Sequence, residues 1–264
     1  MKTSHIKLVY FSATYTTRTI VRQIANQFNY NITEYDITQT VFNDDIILDD
    51  KDLLIVGVPV YSGRIPTRAA EGLTKFKGNN TPTIITCIYG NRDYDDALLE
   101  LKDIVENNNF KVISAAAFIA QHSIFPKVGT NRPDENDMEL VNQFAQKSKK
   151  ILELTTDLDS LPEIQVKGNY PYKTPGNIPL KPKGNRKCNK CGTCVKLCPV
   201  EAISANNPRK TDKEKCIACG RCIVVCSKEA RHFGGLIYKI AGRKFVKAYS
   251  APKEAEVMYS RTVN

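Results

Sequence analysis

Eight of the nine cysteines in this 264-residue chain fall between Cys188 and Cys226, in two runs of the same spacing, and no other feature limits the fold so tightly. The first run reads C-N-K-C-G-T-C-V-K-L-C-P and places Cys188, Cys191, Cys194 and Cys198 at x2, x2, x3 spacing. Cys216, Cys219, Cys222 and Cys226 repeat that spacing in the second run, which ends in Ser227. Three thiolates two residues apart fit a tight loop around one face of an iron-sulfur cube, with the fourth ligand coming from elsewhere. Structural zinc more often uses two C-x-x-C knuckles divided by a long spacer, and disulfides require an oxidising compartment. Both alternatives fit this spacing less well.

Over about fifty residues the two runs resemble a bacterial two-cluster 4Fe-4S ferredoxin. The resemblance implies crossed ligands, the fourth cysteine of each run serving the other cluster. Cys188, Cys191, Cys194 and Cys226 would hold one cluster, and Cys216, Cys219, Cys222 and Cys198 the other. Ser227 departs from the family's usual proline and removes no ligand.

About 180 residues precede this unit, enough for a second domain with its own core. The expected divisions are 1–160, a linker at 161–187, the cysteine unit at 188–232 and a basic tail at 233–264. No apolar run approaches the length of a membrane span, and Met1–Tyr15 lacks the apolar stretch of a signal peptide. A cytoplasmic protein is expected, from an anaerobic host because exposed 4Fe-4S clusters are oxygen-labile.

The net charge of +10 is divided unevenly. Residues 1–164 carry 17 Lys+Arg against 22 Asp+Glu, a net of −5, whereas 165–264 carry 21 against 6, a net of +15. Anionic clusters offset part of that excess. The remainder suits either a solvated surface or a docking face for an acidic redox partner.

In the first half, residues 6–11 form an apolar run followed by S-A-T-Y-T-T and then by apolar residues at helical spacing: strand, hydroxyl-rich turn, helix. The N-H groups at such a helix start attract phosphate. There is no G-x-x-x-x-G-K, so a nucleoside triphosphate site is not expected. Further apolar runs at 53–60, 83–89 and 112–120, with a weaker one at 31–38, alternate with helical stretches near 67–76, 95–107 and 135–154. Five strands alternating with helices predict an α/β doubly wound parallel sheet, with any ligand at the carboxyl ends of the strands. Two loops at those ends, Pro59–Pro66 and Tyr89–Tyr94, set tyrosines beside glycine. Aromatic faces stack on a flat heterocycle, and glycine lets backbone approach its edge.

With these loops in this order the first half resembles a flavodoxin, which implies FMN. Carried over, Ser12, Thr14, Tyr15, Thr16 and Thr17 form the phosphate loop. Tyr61 and Tyr94 would flank the ring, with Pro59, Ser62, Gly63, Tyr89, Gly90 and Asn91 around its edge. Tyr15 stands where the family usually has glycine. Arg64 and Arg92 could stabilise a reduced, anionic flavin, and Cys87 reads as a core residue in its strand.

From Leu161 to Lys187 the chain is rich in proline, glycine and lysine, which predicts an extended connection draped over its neighbours and anchored by Tyr170, Tyr172 and Ile178. After Cys226, aromatic and apolar residues interleave with lysine and arginine. A strand or two packed on the cysteine unit is expected there, ahead of a nucleic-acid surface.

The combination resembles flavodoxin-ferredoxin fusion proteins of anaerobes. That implies an electron carrier linking a low-potential donor to an acceptor through two 4Fe-4S clusters and FMN. The second reading is a reductase whose flavin, fed by the clusters, reduces a small organic substrate. A redox-sensing nucleic-acid-binding protein is the third. No G-x-G-x-x-G follows a strand, so NAD(P)H is not expected as the direct reductant.

Overall fold

The computed structural model describes residues 3–176 and 178–261. In chain order the elements are β1 (His5–Tyr10), α1 (Thr16–Asn26), β2 (Asn31–Asp36), β3 (Ile46–Ile47), β4 (Asp52–Pro59), α2 (Thr67–Leu73), β5 (Phe76–Lys77), β6 (Thr81–Tyr89), α3 (Ala97–Glu106), β7 (Phe110–Ile119) and α4 (Glu135–Leu154). The cysteine-rich part adds β8 (Lys183–Gly184), α5 (Thr193–Lys196), α6 (Arg221–Val224) and β9 (Arg231–His232). The chain closes with α7 (Leu236–Tyr249) and β10 (Glu256–Tyr259).

The main sheet runs β10-β7-β6-β4-β1-β2. Its five strands from the first half are mutually parallel, and their order is the flavodoxin-like 2-1-3-4-5 of doubly wound sheets. Strands covered on both faces read as continuous apolar runs, as β4, β6 and β7 do. β2, at the edge and largely open to solvent, gave the weaker signal. Alternate residues supply two cores. Val9, Leu54, Val56 and Val58 face Leu98, Leu101 and Val105 of α3, whereas Leu8, Leu53 and Ile55 face Ile20 and Ile24 of α1 and Phe144 of α4. α1 approaches β4 so closely that a Cβ on Gly57 would lie 2.2 Å from Val21 Cγ1.

The two cysteine runs fold alike. Lys190 and Ala218 (φ 60° and 55°), Gly192 and Gly220 (81° and 79°), and Glu201 and Glu229 (51° and 48°) are left-handed at matching places. Each glycine opens a single helical turn, α5 or α6. The antiparallel pair β8–β9 joins the start of the unit to its end.

The last segment corrects the expectation of strands packed on the cysteine unit. α7 is a helix whose Tyr238, Ala241 and Phe245 pack on Ile124 and Phe125 beyond β7. β10 then joins the main sheet antiparallel to β7, with Glu256 opposite Ala117 and Tyr259 opposite Ser114. The helical stripe was masked in the sequence by Leu236, Ile237 and Ile240, apolar residues that lie exposed on the helix.

Residues 169–173 are tied to the first domain, whereas 181–185 bond to the cysteine unit. Asn169 N and Lys173 N donate to the carboxylate of buried Asp96, at 2.9 and 2.6 Å. The hydroxyls of Tyr170 and Tyr172 both donate to Asp103. Ile178 and Leu180 continue into the small apolar cluster beneath α7.

Candidate functional site

The loops after β1, β4 and β6 lie side by side, because those strands are neighbours in register: Tyr10 stands opposite Gly57, and Pro59 opposite Ile88. The first loop forms a cradle. Ser12 N donates to Thr38 Oγ1 at 2.6 Å, and Arg18 N donates to Ser12 Oγ at 3.0 Å, holding Ser12 beneath the start of α1. Among the described residues the backbone N-H groups of Thr14, Tyr15, Thr16 and Thr17 have no protein partner, the usual state of donors at a helix N-terminus. Tyr15, the residue before α1, sits at φ 69°. A left-handed turn there explains why glycine is the expected occupant, and the bulky side chain is accommodated with its ring 40% exposed.

The second loop turns tightly: Tyr61 and Arg64 pair N-H to C=O in both directions, at 2.8 and 3.2 Å. Gly63 is needed twice, by its φ of 85° and because a Cβ would lie 2.1 Å from Asp95 Oδ2. Asp96 N donates to Gly63 O, tying this loop to the third. Tyr61 packs edge-on to Phe11 and borders a groove of about 680 Å³ with Ser62, Thr67, Ile178, Cys216 and Ile217. That volume lies within the range of small-molecule sites.

The third loop departs from the expected ring sandwich. Tyr94 is 1% exposed, packed against Tyr89, and its hydroxyl donates to Glu256 at 2.6 Å. Asn91 Nδ2 donates to the carbonyls of Tyr249 and Ala251, and Asn91 Oδ1 accepts from Lys253 N. Gly90 lies against His122, where a Cβ would be 2.8 Å from its Cα. The segment from Tyr249 to Glu256 therefore covers this loop and takes up the polar groups of Tyr94 and Asn91. Arg64 is also committed, bidentate to Glu100 at 2.7 Å and stacked on Tyr172, and Arg92 pairs with Asp95. Neither is free to balance charge on a ring. Cys87 is a core residue, and burial pushes its thiol up.

Among the described residues no three His, Cys, Asp or Glu side chains stand close enough to hold a single metal ion, but cysteines of the two runs lie near enough to act on one another's thiols. Burial pushes the thiols of Cys216, Cys219 and Cys222 up, that of Cys219 to about 12, and the charge of Cys198 adds to it at all three. Cys198, Cys216, Cys219 and Cys222 line one small cavity. Burial likewise pushes Cys194 up, and its thiol neighbours are Cys188 and Cys226. Fourth cysteines of both runs accept the same backbone bond, Ala202 N to Cys198 Sγ and Ala230 N to Cys226 Sγ, each 3.3 Å. Cys198 thus stands with the second run and Cys226 with the first, as crossed ligands would require, whereas Cys191 is exposed with its thiol beside Thr193 Oγ1. Buried Arg231, which donates to the carbonyls of Pro208 and Pro182, offsets part of the effect of burial at both Cys194 and Cys222.

The second run packs on the first domain. Cys219 belongs to the same buried cluster as Val9, Phe11 and Tyr94, against which Tyr61 and Ile217 pack. Burial raises the Tyr61 hydroxyl well above the ordinary tyrosine value, with the Cys219 charge as the second cause. Arg221, between Cys219 and Cys222, is 5% exposed and reaches the first loop. Sequence reasoning passed over Arg221; its signal was a charge inside a C-G-x-C turn where the first run has Thr193. Thr38 was likewise passed over, having no motif around it.

A family model described as "4Fe-4S dicluster domain" matches residues 182–227. Among solved structures the chain is similar to oxidised flavodoxin 1 from Bacillus cereus (15% identity, 58% of this chain and 100% of that one, TM-score 0.44). It is also similar to rubredoxin oxygen:oxidoreductase from Desulfovibrio gigas (15%, 58% and 37%, TM-score 0.43) and to an FMN-bound flavodoxin from Fusobacterium nucleatum (16%, 55% and 97%, TM-score 0.40). The chain spans 37% of the length of the Desulfovibrio protein. No curated protein matches it. Among the described residues no helix is long and apolar enough to cross a membrane. By its strand order and its cysteine domain, the chain joins a flavodoxin-like α/β fold to a 4Fe-4S dicluster domain, the make-up of an electron-transfer iron-sulfur protein.

Proposed function

We propose that this protein passes electrons between two 4Fe-4S clusters and FMN, linking a low-potential redox protein to an acceptor. The observation that carries the proposal is the packing of Cys219 beside Tyr61 in one buried cluster, which sets a cysteine loop of the second run against a loop at the carboxyl end of β4. Bound there, FMN would supply a centre that exchanges one or two electrons, while each cluster passes one. The chain's own part is to bind, orient and exclude water. The N-H groups of Thr14–Thr17 and the hydroxyls of Ser12, Thr14, Thr16 and Thr17 would hold phosphate, Tyr61 would stack on the ring, and Ser62 and Gly63 would meet its edge. Cys198, Cys216, Cys219 and Cys222 would hold the inner cluster, and Cys188, Cys191, Cys194 and Cys226 the outer one.

The reductase reading has one observation of its own: a second groove of about 830 Å³ runs between Thr67, Arg68 and Glu71 of the first domain and Cys198 and Glu201 of the cysteine unit. The carrier reading ranks first because it needs no substrate to explain the arrangement. Anaerobically purified protein tests it by acid release of flavin and iron. About one FMN and about eight iron per chain are expected. Full iron with no flavin, even after incubation with FMN, would reduce the first domain to a docking scaffold.

A further inference from the structure

Arg221 carries a positive charge into the seam between the two domains, and its protein neighbours satisfy only one end of it. Its side chain is 5% exposed. Nη1 donates to the carbonyls of Ser12 and Ala13, 3.2 Å from each, and the guanidinium carbon lies 4.5 Å from the centre of the Tyr15 ring. Nε is buried with no hydrogen-bond partner. No carboxylate among the described residues forms an ion pair with Arg221. Removing a guanidinium from water without an anion is costly, and the edge formed by Nε and Nη2 is the one that binds oxyanions bidentately. The same loop holds the N-terminus of α1, with its partnerless N-H groups and the positive end of the helix dipole. Two positive features therefore meet at one loop, and what they lack in common is an anion with several oxygens.

We propose that Arg221 completes the phosphate site of the Ser12–Thr17 loop, so that both domains hold the flavin phosphate at once. The inference rests on the FMN reading above and adds the specificity-determining cation, which the phosphate loop itself does not contain. It also gives Tyr15 a role: the ring stands under the guanidinium and fixes its plane. By linkage, FMN binding and docking of the second cysteine run strengthen each other by the same factor. The competing anion is the inner cluster, whose ligands Cys219 and Cys222 flank Arg221 in the chain.

The test uses cluster-loaded, flavin-depleted protein titrated with FMN and with riboflavin, read by quenching of flavin fluorescence. In Arg221→Gln, FMN binding should weaken about 10- to 100-fold, the worth of one charge-assisted bidentate contact, while riboflavin binding changes little. Arg221→Lys, which keeps the charge and loses the fork, should fall between, and it serves if the glutamine variant loses iron. Equal losses for both flavins would overturn the proposal. So would unchanged FMN binding with a shifted cluster potential, which would pair Arg221 with the cluster instead. Wild-type protein that binds neither flavin would remove the FMN reading itself, an outcome visible without any variant.

Discussion

The two cysteine runs have the same spacing and the same left-handed residues, yet their surroundings are opposite. Around the first, Lys190, Cys191 and Thr193 are exposed, and a Cβ on Gly192 would meet nothing within 4 Å. Around the second, every residue from Ala218 to Cys222 is buried, and a Cβ on Gly220 would touch Thr14 and Ser123 of the first domain. Local sequence sets the loop, and tertiary contact sets its role. The inner group abuts the proposed flavin site, while the outer one presents a cysteine to solvent where a partner protein can approach.

The strongest way to break this contrast is to remove one ligand from each run. Cys191→Ala and Cys219→Ala should each lower iron from about eight to about four per chain. Only Cys219→Ala should also empty the flavin site, because it removes packing from the seam. Equal flavin content in the two variants would end the distinction between inner and outer. The matching glycines sharpen it. Gly192→Ala and Gly220→Ala should each cost about 1 kcal/mol in denaturant unfolding, since both are left-handed and the new methyl at Gly220 meets Thr14 Cγ2 at an ordinary 3.5 Å. FMN affinity should respond at Gly220 alone.

His122 tests the seam from the other side. Burial, reinforced by the Arg92 charge, lowers its pKa from 6.5 to about 4, and its Nδ1 accepts from Ile124 N and Phe125 N. The unfolded chain takes up the proton more readily. The contribution of neutral His122 is therefore fully present above pH 6.5 and is lost as pH falls toward 4. The protection factor of amides in α7, whose Phe245 packs on the His122 ring, should fall between pH 7 and 5 once the intrinsic slowing of exchange with falling pH is divided out. An unchanged protection factor would contradict that role. The smallest effect is expected for Tyr15→Gly. Relief of about 1 kcal/mol of left-handed strain is offset by loss of about 0.5–1 kcal/mol of cation-π contact with Arg221. Thermal unfolding should shift little, and a large fall in Tm would mean the ring does more than support the arginine.

The parallel sheet was legible because strands covered on both faces leave continuous apolar runs, and β4, β6 and β7 need no partner residue to be recognised. Cysteine spacing was legible because ligation dictates it locally. Burial by distant segments was not. Tyr94 and Asn91 sit in a loop of flavin-binding appearance, but Glu256, Tyr249 and Ala251, far along the chain, take up their polar groups. The tail misled for a related reason: α7 exposes Leu236, Ile237 and Ile240, so its inward stripe of Tyr238, Ala241 and Phe245 did not stand out. Arg221 resembled any solvated charge until its fold partners were known.

The central claim, that one cluster neighbours the flavin and the other does not, is tested most directly by an EPR-monitored redox titration of both clusters with FMN bound and with FMN removed. The account predicts that the potential of one cluster moves while that of the other holds. Two clusters that shift together, or two that ignore the flavin, would contradict it.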